Sequence, residues 1–348
     1  MDKIPQSAAV NESVKLAKRY GHAKSSGFVN GILRNVTRNI NSLPKPKDET
    51  ERISVEYSCP EWLVKKWIKD FGKDFACELM ESMNKEAGMC VRVNTLKTDV
   101  SKMLEVLPAA NLCEYASCGI SCDGFDVGAS EEYKNGLISV QDEAAMLSAL
   151  VLSPKSGETV IDMCAAPGGK STHMAELMKN KGKILSFDIH EHKIALIEEN
   201  AKRLGIDIIS AQVSDACVYK EEYKETADKV LADVPCSGLG IIRRKPDIKW
   251  NRPEENDLSE IQYKILSNAA KYIKPGGELV YSTCTVNHEE NEDVILKFLE
   301  ENKNFVSVDI KPLLDKKLHP VISEKGFVTL YPNRDGTDGF FIAKLKKV

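Results

Sequence analysis

The sequence predicts an α/β protein, a parallel sheet with helices covering both faces. Three observations predict it. From Gly136 onward, short apolar runs alternate with segments of helical period, the pattern of a sheet fed by crossover helices. Within that pattern, Glu158–Thr172 reads as a buried strand, a bend of small residues and the start of a helix, the opening unit of a nucleotide-type domain. An aspartate then stands at or just after each of three successive strand ends, at Asp188, Asp215 and Asp233. Together they place a Rossmann-like sheet over residues 129–348.

The chain ahead of that sheet has a different character. Residues 7–20 and 25–39 read as helices, the second carrying Phe28, Val29, Ile32, Leu33 and Val36 as one apolar stripe. Two helices are too few to close a core, so residues 1–45 read as the remnant of a helical domain. Pro44-Lys45-Pro46-Lys47-Asp48 reads as a linker. Residues 46–128 read as a small α+β unit. It holds a helix over 60–87 with Trp62, Leu63, Trp67, Phe71, Phe75 and Leu79 as core, a strand at Cys90–Asn94 and a short helix at 99–107. Arg92 and Asn94 read equally as RNA-facing or as plain surface residues.

The regular part then runs in order. A short strand at Leu137–Val140 and a helix from Gln141 through Leu150 lead into the strand Val160–Met163. A helix follows from Lys170, with Met174, Leu177 and Met178 on one face. Next come strand 183–187, helix 191–204, strands 208–213 and 229–232, helix 254–273 and strand 278–282. A helix at 289–301 and paired strands at 326–331 and 339–345 close the domain.

Composition bounds the function. The 348 residues carry a net charge of −4, which excludes a molecule that is basic throughout. Residues 1–47 hold nine Lys or Arg against two Asp or Glu, a local +7, which suits an anionic partner or a solvated helix face. Ten cysteines occur with no C-x-x-C pair, no secretory segment follows Met1, and no apolar run is long enough to span a bilayer. The expectation is a reduced cytoplasmic monomer without membrane attachment. Cys113, Cys118 and Cys122 lack zinc spacing and no His joins them in sequence, so no metal is expected there.

The small-residue turn, Cys164-Ala165-Ala166-Pro167-Gly168-Gly169-Lys170, is the expected cofactor cradle. Gly169-Lys170-Ser171 ends like a phosphate-binding loop, but Cys164 stands where that loop needs glycine, and Pro167 removes a backbone N–H. The dinucleotide glycine pattern is absent too. A zwitterionic nucleoside ligand such as S-adenosylmethionine fits better. Asp188 is placed to accept from ribose hydroxyls, Asp215 to meet the adenine edge, and Asp233 to complete the set. Two cysteines share this edge: Cys236, in Asp233-Val234-Pro235-Cys236-Ser237, and Cys284, in Ser282-Thr283-Cys284. A basic loop follows the first. In it Arg243, Arg244 and Lys245 can contact RNA phosphates, and Trp250 can stack a base or anchor in the core.

Taken together, the Cys164–Lys170 turn, Asp233–Ser237, Arg243-Arg244-Lys245-Pro246-Asp247 and Ser282-Thr283-Cys284 resemble the RNA (cytosine-5) methyltransferases of the Sun/Fmu type. The resemblance is to the bacterial small-subunit ribosomal RNA branch and runs from about residue 7 to the end. Residues 1–40 resemble the last helices of that family's NusB-like domain. Val234 replaces the family's usual alanine. The resemblance implies S-adenosylmethionine as cofactor and methylation of cytosine carbon-5 in RNA. It implies Cys284 as nucleophile toward carbon-6, Cys236 as an aid to product release, and Asp233 as the group that holds the cytosine's N3 and amine. A transfer RNA cytosine-5 methyltransferase and a non-catalytic ribosome-assembly factor are the alternatives.

Overall fold

The computed structural model describes residues 4–22, 24–42, 46–251 and 257–348. Two residues of the expected linker, Pro44 and Lys45, and the first turn of the helix expected from 254 lie outside the described residues. The chain falls into two compact bodies, Met1–Glu61 and Trp62–Val348.

The first body contains α1 (Gln6–Tyr20), α2 (Ser25–Arg38) and α3 (Glu49–Glu56). The Asp48 side chain caps α3 by accepting from the Glu51 N–H, which explains a helix that apolar periodicity alone does not announce. The predicted stripe on α2 is present but no α2 residue is buried, and Phe28, Ile32 and Val36 are exposed.

The second body opens with α4 (Glu61–Phe71) and α5 (Lys73–Met83). The single helix expected over 60–87 is divided because Gly72 adopts φ +81°. Phe71 and Phe75 both stack edge-on against Tyr331, with centroids 5.5 and 5.1 Å away, fixing the pair on the far end of the chain. A small antiparallel sheet follows in the order β2-β3-β1-β4, from β1 (Cys90–Val93), α6 (Val100–Val106), β2 (Ala110–Leu112), β3 (Gly119–Cys122), α7 (Glu131–Lys134) and β4 (Ile138–Val140). The strand expected to open the parallel domain is therefore β4 of the small sheet, with Val91 opposite Val140 and Val93 opposite Ile138. Its buried Ile138 packs with Val91, Val93 and Ile120, so the apolar core of the small sheet, and not sequence proximity, decides its place.

The large sheet is built from α8 (Glu143–Leu152), β5 (Thr159–Asp162), α9 (Gly169–Leu177), β6 (Lys183–Asp188), α10 (Glu191–Leu204), β7 (Ile209–Val213), β8 (Ala227–Asp233), α11 (Asp257–Tyr272) and β9 (Ile273–Thr283). After them come α12 (Glu292–Glu301), β10 (Phe305–Ser307), β11 (Val328–Leu330), α13 (Pro332–Asp335) and β12 (Phe340–Lys347). The strand order is β10-β12-β9-β8-β5-β6-β7, with β11 paired to β12. Pairings from β7 to β9 are parallel and those of β12 antiparallel, so the predicted parallel α/β sheet is present with an antiparallel edge. β10 is a short strand that the sequence reading misses; its middle residue Val306 is exposed, which leaves little apolar pattern. Two apolar layers enclose the sheet. One holds Leu147, Val151, Met174 and Leu204, and the other Leu266, Ala269, Ile295 and Phe298. Among the described residues no helix is long and apolar enough to cross a membrane.

Candidate active site

β5 is flanked by β6 on one side and β8 on the other, so strand order reverses between β5 and β8. Loops leaving the carboxyl ends of such strands diverge and leave a crevice where ligands bind. The turn after β5 is held from three sides. The Ala165 N–H donates to the Phe187 carbonyl at 2.7 Å, the Gly168 N–H to the Ala165 carbonyl at 2.7 Å, and Asn200 Nδ2 to the Pro167 carbonyl at 2.9 Å. Gly168 takes φ +99°, which lets the chain bend into α9, and the Ala166–Pro167 peptide is cis. Open space lies beside Gly169, where an added Cβ would meet nothing within 4 Å.

Beneath the turn lies a carboxyl group that the motif reading misses. Ser186 Oγ donates to Ser171 Oγ at 2.9 Å, and Ser171 Oγ donates to Asp162 Oδ2 at 2.6 Å. Burial pushes Asp162 up to about 7, and its Oδ1 is sealed without a hydrogen-bond partner. At the rim, Asp188 Oδ1 accepts from the His190 N–H at 3.0 Å, and Asp215 Oδ1 accepts from the Cys217 N–H at 2.8 Å. The Ser214 N–H bonds the Asp188 carbonyl at 2.9 Å and brings these two strand ends together. Open space over a small-residue turn and carboxylates at the rim fit a nucleoside-bearing cofactor.

Lys170 reaches across the crevice. Its Nζ donates to Asp233 Oδ2 at 2.7 Å and stands 5.5 Å from the Phe340 ring centroid. Burial works to neutralise the ammonium, but the Asp233 carboxylate outweighs it and holds Lys170 above the ordinary lysine value. Asp233 Oδ1 accepts from Ser282 Oγ at 2.7 Å, so strands β8 and β9 share this carboxylate.

The sulfurs of Cys236 and Cys284 lie 3.3 Å apart, on the loops that follow β8 and β9. The hydrogen bond from the Cys236 thiol holds Cys284 below the ordinary cysteine value; burial and Asp233 oppose this, and Lys170 assists it. Cys236 is pushed well above, first by that same bond and then by burial and the charges of Cys284 and Glu290. The two sulfurs share one hydrogen bond, and it shifts them in opposite directions. The two loops meet backbone to backbone. The Gly240 N–H donates to the Cys284 carbonyl at 3.0 Å, the Gly339 N–H to the Gly240 carbonyl at 2.8 Å, and a Cβ on Gly240 would lie 2.0 Å from the Gly339 oxygen.

The basic loop departs from its expected role in part. Arg243 Nε donates to Asp338 Oδ1 at 2.7 Å. Arg244 bonds the other Asp338 oxygen and also Asp142 Oδ2, the latter at 2.8 Å. Asp338 is buried and precedes Gly339, so the two arginines pin the close approach beside Cys284. Much of their charge is spent on these carboxylates, although Arg244 itself remains exposed. Lys245 and Trp250 are exposed, so Trp250 is not a core anchor.

Arg92 and Asn94 are the clearest reversals: neither lies on the surface. Asn94 Nδ2 donates to the carbonyls of Gly136 and Leu204, while Arg92 runs along α9 and bonds Gly169, Thr172 and Glu176. A histidine does approach the early cysteines. His173 Nε2 is 3.6 Å from Cys118 Sγ, and Cys90 and Cys113 sulfurs are 3.0 Å apart. Among the described residues, no three His, Cys, Asp or Glu side chains are grouped to hold a metal ion.

Comparison with known proteins identifies the family. Residues 149–346 match the family model for the 16S rRNA methyltransferase RsmB/F, residues 59–124 its ferredoxin-like domain, and residues 1–38 the NusB family. The chain is 41% identical, over its whole length and 79% of the relative, to a protein of Bacillus subtilis named "Probable ribosomal RNA small subunit methyltransferase B". It is similar to the crystal structure of PH0851, with TM-score 0.88 and 34% identity over 98% of this chain and 77% of that one. It is also similar to NSun6 of Pyrococcus horikoshii, solved with SFG, with TM-score 0.71 and 25% identity over 83% of this chain and 98% of that one. The chain belongs to the RsmB/F family of 16S rRNA methyltransferases and methylates ribosomal RNA with S-adenosylmethionine as methyl donor.

Proposed function

We propose that the methylated atom is carbon-5 of a cytosine in small-subunit ribosomal RNA, and that the reaction passes through a covalent bond between Cys284 and carbon-6. The observation that carries this reading is the sulfur pair itself, 3.3 Å apart at the ends of adjacent strands and beside the Lys170–Asp233 bridge. Carbon-5 of cytosine is a weak nucleophile. Addition of the Cys284 thiolate to carbon-6 breaks the ring double bond and places its electron pair at carbon-5. The Asp233 carboxylate accepts from the exocyclic amine, and from N3 once addition at carbon-6 has let that nitrogen take a proton, while Lys170 and Ser282 fix its two oxygens. S-adenosylmethionine, held by Cys164–Lys170, Asp188 and Asp215, supplies the methyl group. The carbon-5 proton then passes to solvent water, its C–H electron pair re-forms the double bond, and the carbon-6–sulfur pair leaves with Cys284 as a thiolate. Cys236 assists the release by hydrogen-bonding the departing sulfur across the 3.3 Å between them. Lys245 and Trp250 contact the RNA, whose target base must leave any stack to enter the crevice.

The two thiols are expected to fail differently. Cys284→Ala should give neither methylation nor adduct. Cys236→Ala should trap protein on RNA as a complex that survives denaturation. An adduct from Cys284→Ala and none from Cys236→Ala would exchange the roles. Bisulfite sequencing of the product identifies the modified base, and a product that is not 5-methylcytosine removes the reading.

A further inference from the structure

A buried carboxylate outside the crevice joins the two cysteine loops. Glu290 lies in the turn before α12 and is 3% exposed. It accepts from four donors. The Ser237 N–H bonds Oε2 at 2.8 Å, Ser237 Oγ bonds Oε1 at 2.5 Å, Gln262 Nε2 bonds Oε2 at 3.0 Å and Asn287 Nδ2 bonds Oε1 at 3.0 Å. Ser237 is the residue after Cys236. Its hydroxyl also bonds the hydroxyl of Thr285, the residue after Cys284, at 2.8 Å. Gln262 donates in addition to the Pro235 carbonyl at 3.0 Å, and the Tyr281 hydroxyl to the Glu290 carbonyl at 2.6 Å. One carboxylate therefore holds Ser237 directly and Thr285 through the Ser237 hydroxyl.

We propose that Glu290 is the positioning residue that decides which of the two thiols acts as nucleophile. The proposal rests on the covalent reading above. Chemically the two sulfurs are alike, so their roles must come from their surroundings. Glu290 binds both the backbone N–H and the hydroxyl of Ser237, next to Cys236, and reaches Thr285, next to Cys284, only through Ser237; Asp233, bridged to Lys170, is bonded by Ser282, two residues before Cys284. A negative charge placed on Cys236 would be repelled by Glu290, whereas at Cys284 the anion of Asp233 is opposed by the cation of Lys170 bonded to it. The proton of the pair accordingly stays on Cys236, which donates it as a hydrogen bond to the Cys284 sulfur. Because the same carboxylate anchors Ser237 and, through it, Thr285, the geometry of that hydrogen bond and its direction have one source.

Thiol alkylation tests this without RNA or cofactor. The full chain is treated with iodoacetamide from about pH 6 to about pH 10, and labelling at each cysteine is followed by mass spectrometry. Each thiolate displaces iodide, so the rate reports the thiolate fraction. In the unmodified protein Cys284 should label at lower pH than Cys236; the opposite order overturns the proposal with no variant needed. In Glu290→Gln, which keeps an acceptor and removes the charge, Cys236 should label about tenfold faster near neutral pH relative to Cys284. An unchanged ratio in a Glu290→Gln protein of unaltered circular dichroism overturns it. Glu290→Asp, which restores the charge, should return the order toward that of the unmodified protein; a ratio equal to that of Glu290→Gln also counts against the proposal. The covalent reading fails separately, through absence of any RNA adduct in Cys236→Ala, whatever the labelling order.

Discussion

Arg92 and Glu176 form a two-pronged ion pair sealed from solvent: Nε lies 3.0 Å from Oε2, and Nη2 2.9 Å from Oε1. The remaining donors reach the Gly169 carbonyl at 2.7 Å, Thr172 Oγ1 at 3.0 Å and Gln141. Gly169, Thr172 and Glu176 are spaced three and four apart, so they share one face of α9. A strand of the small sheet thereby fixes the helix that opens at the cofactor turn. Arg92→Met should leave Glu176 buried and unpaired and destabilise the protein by about 3–5 kcal/mol. The Arg92→Met/Glu176→Met pair should be less destabilised than either single variant. Urea denaturation checks both statements, and additive losses would show that the pair is not coupled.

Asp188→Ala should weaken S-adenosylmethionine binding by roughly 1.5–3 kcal/mol, the contribution of a hydrogen bond to a charged acceptor. Its backbone contact with His190 is local, so stability should change little. Calorimetry showing unchanged affinity removes Asp188 from the cofactor site.

Asp162 makes the ligand-free protein sensitive to pH. In the unfolded chain an aspartate titrates near 3.8, and in the fold burial holds this one at about 7. Between those values the folded state binds the extra proton, so the associated stability is fully present below the lower value and is lost as pH rises through about 7. Asp162→Asn, neutral at every pH, should therefore gain stability relative to the unmodified protein on going from about pH 5 to about pH 8. The gain should be about 2–3 kcal/mol. Denaturation curves with the same difference at both pH values would mean that Asp162 is ionised in the fold.

The basic loop should separate into two functions. Replacing Arg243 and Arg244 together by Met removes both cations from the buried Asp338 and should cost about 3–5 kcal/mol of stability. The dependence of RNA affinity on salt should change little in that variant. Lys245→Ala should leave stability unchanged and lower the salt slope by about one, the signature of one phosphate contact. A flattened slope in the double arginine variant, with Lys245→Ala silent, would reverse these assignments.

The sequence by itself determined the strand-turn-helix unit at 158–178, the parallel α/β class and the positions of Asp188, Asp233, Cys236 and Cys284 at strand ends. Those features are local: a strand's period and its first polar residue lie within a few positions of each other, and a parallel sheet brings all carboxyl ends to one edge. Tertiary structure decided what each polar side chain faces. Arg92 finds its carboxylate 84 residues away, Arg243 finds Asp338 at 95, and Ser237 finds Glu290 at 53. No short-range pattern marks which glutamate of the His288–Glu292 run folds inward, or that two arginines of a basic loop spend their charge on one buried aspartate. For the same reason the surroundings of the two cysteines are invisible in the chain: Glu290 reaches Ser237 beside Cys236, and Lys170 reaches Asp233, only once β8, β9, α9 and the turn before α12 are assembled.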